Sequence, residues 1–157
     1  MTLSKIIFKS LTVWQTIVLG NLAILGLIYF SVYSSITGMP SEYIVNLRSE
    51  AISTIVIAWG VILESRKVLL NVGQLEESSG VEGDDDLSAD AERTGIFLLI
   101  MGLLLEMVTY FDVDVRAEML PLWLHVTLHS CEWIILAVIA YELLVHSFGI
   151  FKLKLMR

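Results

Sequence analysis

The stretch MLPLWLHVTLHSCEWIILAVIAY, Met119–Tyr141, decides how this chain is built. It matches the ~20 predominantly apolar residues that a helix needs to cross a hydrocarbon core of about 30 Å. In its middle stand His125, His129 and Glu132. Spacings of four and seven residues put all three on one helical face. Ionisable groups at membrane depth are costly and face a partner or a cavity, so this trio is also the first pointer to function.

Three further segments upstream have the same character: 11–33, 43–66 and 94–111. The second becomes fully apolar only from Ala51 to Leu63, after Arg48 and Glu50, so its first turns also suit an amphipathic lead-in lying on the surface. Of the 157 residues, 56% are hydrophobic and the mean hydropathy is +0.77, beyond the range of ordinary soluble domains. The expectation is a single all-α domain, a polytopic membrane protein with four transmembrane helices. Short Gly- and Pro-bearing or acidic connections at 34–41 and 112–118 make antiparallel neighbours, hence an up-down-up-down bundle.

The net charge of −7 belongs to one segment. Between Asn71 and Arg93 stand Glu76, Glu77, Glu82, Asp84, Asp85, Asp86, Asp90 and Glu92, against Arg93 alone. That composition reads as a disordered, solvated loop, 71–93, with a docking segment for a basic partner as the alternative. No basic patch interleaved with aromatics exists, which argues against nucleic acid. Cys131 stands alone, so no disulfide framework or thiolate cluster is expected. The apolar run after Lys5 and Lys9 is too long for a signal peptide and reads as a retained first helix.

Lys5, Lys9, Arg66, Lys67, Arg93, Lys152, Lys154 and Arg157 fall on one side of such a bundle, and only Arg48 and Arg116 on the other. The bias towards cytoplasmic Lys and Arg then predicts a plasma (inner) membrane protein with both termini in the cytoplasm. Counting from the segment midpoints, His129 and Glu132 fall within about 3 Å of the midplane, Glu106 about 5 Å outside it, His125 about 7–8 Å and Glu50 about 10 Å. Glu106, His125, His129 and Glu132, with Glu50 as a further member, therefore form a candidate outer centre.

A carboxylate near the middle of a span costs about 2.5–3.5 kcal/mol on insertion scales. It must be protonated, paired, hydrated or bound to a cation. Imidazole nitrogens with carboxylate oxygens suit a divalent metal such as Zn, Mn or Fe. Histidine and glutamate equally suit a proton pathway, and the plainest reading is interhelical hydrogen bonding. Glu64, Glu142 and His146 form a second, inner polar cluster, which snorkelling to water also explains. If both clusters shared a seam, a polar track would cross the bilayer.

No nucleophile elbow or phosphate loop is present, and the chain leans away from catalysis. The functional expectation is a small membrane protein handling a cation, a proton or a divalent metal, in transport or sensing. The alternatives are a non-catalytic accessory subunit of a membrane complex and a membrane metal-dependent oxidoreductase. Four helices leave little room for a path, so a homo-oligomer or a larger complex is expected.

Overall fold

The computed structural model describes the backbone of residues 14–37, 42–66, 68, 85–115 and 121–155. These residues form an all-α bundle of four helices: α1 (Trp14–Ile36), α2 (Glu42–Glu64), α3 (Asp85–Val115) and α4 (Leu122–Leu155). Each helix packs on the next and α1 closes the ring against α4. Neighbours run antiparallel: Trp14 meets Phe151 edge to face, Trp59 meets Asn21, and the end of α2 meets the start of α3.

Two helices begin and end elsewhere than hydropathy suggests. The first turn of α3 holds Asp85 and Asp86, so residues 85–93 of the expected loop are helical. Acidic residue types favour helix initiation at such a position, because the start of a helix is the positive end of its macrodipole. At the other correction, α4 starts after Pro121, whose carbonyl accepts from Leu124 N at 2.9 Å, and runs on through Glu142 and His146. Proline cannot donate within a helix and so sits naturally at its entrance.

Among the described residues, three segments are long and apolar enough to cross a membrane: Trp14–Ser35, Ala89–Phe111 and Val126–Lys152. α2, whose side chains at 42–48 lie outside the described residues, is not among them. The α4 segment has its midpoint near Ile139, well beyond the midpoint of 119–141. At 1.5 Å per residue, Glu132 and His146 lie about 10 Å to either side of that point, and His129 about 15 Å away.

The interior is made of branched aliphatics. Ile52, Val56, Leu63, Leu98, Leu105, Leu136, Ile139 and Leu143 are buried, while Leu19, Tyr29, Ile100, Ile134 and Phe148 stand on the outside. This apolar exterior is what a bundle in lipid requires, and far exceeds what soluble monomers tolerate as one patch. α2 and α3 approach through glycine. A Cβ on Gly60 would stand 2.8 Å from both Gly95 O and Leu99 N, so backbones rather than side chains meet there. A Cβ on Gly26, by contrast, would meet nothing within 4 Å.

Candidate functional site

The two polar centres both use α4, one on each side of the apolar middle. At the His146 end, every helix contributes. Trp59 Nε1 of α2 donates to Asn21 Oδ1 of α1 at 2.9 Å. Indole nitrogen can only donate, so the oxygen of the Asn21 amide is identified by its partner, and the Nδ2 group must face the other way. There it lies 3.1 Å from Ser147 Oγ and 3.2 Å from His146 Nδ1. Ser147 spends its single hydroxyl proton on Leu143 O at 2.8 Å, which leaves its oxygen free to accept.

The same logic assigns the imidazole. With an amide N–H directed at it, His146 Nδ1 is an acceptor, and the ring proton resides on Nε2. Nε2 is buried, makes no hydrogen bond among the described residues, and lies 3.7 Å from Asp90 Oδ2 of α3. Asp90 is 48% exposed at its side chain, whereas the imidazole is fully enclosed. Arg66 is also buried, and its positive charge acts electrostatically on His146. Room for Trp59 comes from Gly20, because any Cβ there would run into the indole ring.

The other centre is smaller. Glu132 is buried and accepts a hydrogen bond from Ser49 Oγ, which reaches across the bundle from α2. Its second oxygen lies 3.3 Å from His129 Nδ1, one helical turn earlier. Trp133 Nε1 donates to His129 Nε2 at 3.0 Å, with the two rings edge to face. By the donor argument again, the His129 proton sits on Nδ1 and faces the carboxylate. The His129 side chain is 46% exposed, so only the Glu132 half of this pair is enclosed.

Among the described side chains of the expected outer centre, only His129 and Glu132 come together. The His125 side chain lies outside the described residues. Glu106 and Glu50 are exposed on α3 and α2, and neither side chain makes a hydrogen bond or ion pair among the described residues. No group of three or more His, Cys, Asp or Glu is arranged to hold a metal ion among them.

The inner trio is also redistributed. Glu64 is exposed and accepts from its neighbour Ser65 Oγ at 3.2 Å; Glu142 is half-buried; His146 turns instead to Asn21 and Asp90. Between the two centres, Leu136, Ile139 and Leu143 of α4 pack with Val56, Leu98 and Leu105 in the buried core. A polar track across the bilayer is absent from the described residues.

The residues missed by sequence reasoning are Asn21, Ser49, Trp59, Asp90 and Ser147. Asn21 carried a usable signal, as an amide well inside the α1 membrane-length segment rather than at its edge like Gln15. Asp90 was masked by the surrounding acidic run, and nothing in the local pattern of Trp59 distinguishes a hydrogen-bonding indole from a packing one. Compared with known proteins, the chain matches no family model, no curated protein and no solved structure.

Proposed function

We propose that this protein is a proton-responsive membrane protein, sensing rather than conducting, in which His146 is the group that takes up the proton. In this reading all four helices cross the membrane, α2 included, with both termini in the cytoplasm of a plasma or inner membrane. The observation that carries the proposal is the arrangement around His146: an enclosed imidazole held neutral by an amide donor on one side, with a carboxylate on the other.

A second proton on this ring must go to Nδ1. There it meets the N–H groups of Asn21, and the Asn21–His146 hydrogen bond is lost while the one from Asn21 to Ser147 remains. The resulting imidazolium is attracted to Asp90, whose carboxylate is already within ion-pair distance. Protonation therefore exchanges an α1–α4 bond for a tighter α3–α4 pair, the kind of two-state element that converts a local charge into a packing change. The half-exposed Asp90 gives the proton a route from water. A proton is favoured over Zn, Mn or Fe because the described donors come in pairs rather than in threes.

The test is a distance measurement. Spin labels near the α1 and α4 termini at the His146 end, in the full chain reconstituted in nanodiscs, should separate on acidification. His146→Gln should hold one distance at every pH. A pH-independent distance in the unaltered protein would remove the proposal.

A further inference from the structure

Three glutamates of this bundle stand at nearly one height. Ser49 bonds Glu132, which sets Ser49 and its neighbour Glu50 level with that carboxylate. Glu132 lies about 10 Å from the midpoint of its membrane-length segment, and Glu106 about 9 Å from the midpoint of its own, Ala89–Phe111, on the same side. Both values are well within a hydrocarbon half-thickness of about 15 Å. Glu132 is buried and partnered, and Glu50 and Glu106 face outwards.

The two exposed carboxylates are not equivalent, because their helices run in opposite directions. Every Cα–Cβ bond in a helix leans towards the helix N-terminus. For α2 that direction leads from Glu50 to the near surface, so its side chain can snorkel to water. For α3 it leads from Glu106 towards the midplane. Snorkelling is opposed by the backbone, and Glu106 sits in a face of Leu103, Met107 and Tyr110, which are 50%, 51% and 66% exposed. These four positions recur at i, i+3, i+4 and i+7, the spacing with which one helix receives another.

We infer that the Leu103–Glu106–Met107–Tyr110 stripe of α3 docks a transmembrane helix of a different protein, one bearing an arginine or lysine at the depth of Glu106. Charge complementarity selects this occupant. An acid held in lipid without a partner is stabilised by a cation at its own level. Arg66, Arg93 and Lys152 belong to the opposite end of the bundle, and the side chains of Arg48 and Arg116 lie outside the described residues. A second copy meeting α3 against α3 would instead set Glu106 against Glu106. The apolar neighbours supply the packing surface, and the ion pair supplies register and choice of partner. None of this depends on the titration of His146.

The experiment uses the full chain, acceptor-labelled at its N-terminus, in phosphatidylcholine liposomes. Donor-labelled single-span polyleucine peptides carry one arginine about 9 Å from the midplane in the Glu106 leaflet, one arginine at the mirrored depth, or none. Energy transfer should report at least tenfold tighter binding of the first peptide than of either control. Glu106→Gln should bring it to within threefold of the all-leucine peptide, and Glu50→Gln should leave it unchanged. Equal binding of the three peptides by the unaltered protein overturns the inference whatever the variants do. So does an equal loss in Glu50→Gln. Self-association of the chain that Glu106→Gln abolishes, without preference for the arginine peptide, overturns it in favour of a second copy.

Discussion

Trp59 Nε1 and Asn21 Oδ1 are 2.9 Å apart, and this bond between α2 and α1 determines which nitrogen of His146, on α4, bears its proton. The indole fixes the amide, the amide fixes the imidazole, and the imidazole presents Nε2–H to Asp90 on α3. One donor that cannot act as an acceptor thus orders polar groups on all four helices.

Replacing Trp59 with phenylalanine removes that constraint and leaves the Asn21 amide free to rotate. With its oxygen turned towards His146, the ring takes its proton on Nδ1. Imidazole 15N NMR should show a single Nε2–H tautomer in the unaltered protein and a mixture in Trp59→Phe; an unchanged spectrum would contradict the assignment.

Asn21→Leu strands the Trp59 N–H and His146 Nδ1 together. Leaving buried polar groups unsatisfied costs about 1–3 kcal/mol each, although partners found in the unfolded membrane state reduce the figure. Reversible unfolding in bicelles should show a loss of about 1–3 kcal/mol. The double variant Asn21→Leu/Trp59→Phe should be less destabilised than the sum of its parts, since one orphaned donor goes with the indole.

At the other centre, a double-mutant cycle of Ser49→Ala and Glu132→Gln should give a coupling of about 0.6–1.7 kcal/mol, the average to upper range for hydrogen bonds between membrane helices. A coupling of zero would mean that Ser49 and Glu132 act independently.

Gly95→Val drives a branched side chain into the backbone of α2 at Gly60 and Glu64. Overpacking of this kind costs about 1–3 kcal/mol, and here no flexible side chain can yield. Gly26→Val, into open space, should cost less than about 0.5 kcal/mol in the same unfolding measurement. Equal effects at the two glycines would argue against the close approach of α2 and α3.

Leu143 and Phe148 lie five residues apart on α4, one enclosed and the other turned outwards. Leu143→Ala should cost about 2–5 kcal/mol in bilayer unfolding, as for other enclosed leucines. Phe148→Leu should stay within about 0.5 kcal/mol, because lipid replaces what the ring touched. The reverse ranking would turn α4 inside out.

The elements were legible in the sequence because apolar runs report length, and length is what a bilayer selects. Their registers were not. A hydropathy window ends α4 near Tyr141 because Glu142 and His146 are polar, yet the helix continues: His146 finds Asn21 and Asp90, and Glu142 stays half in contact with the outside. The same rule ended α3 at Thr94, although Asp85 and Asp86 are well suited to a helix start. Of the candidate site, His129 with Glu132 followed from i, i+3 geometry within one helix. Their partner Ser49 did not, because nothing local shows which face of α2 looks inwards. Glu106 was expected to reach the histidines and is exposed on α3, because counting residues along a helix does not tell which way a side chain faces.

The aliphatic layer around Leu136, Ile139 and Leu143 gives the molecule a further property. A proton arriving at one histidine meets no chain of hydroxyls or amides, among the described residues, by which to hop to the other. Vesicles densely loaded with this protein should therefore keep a pH gradient for as long as empty ones do, each imidazole answering only to the compartment it borders.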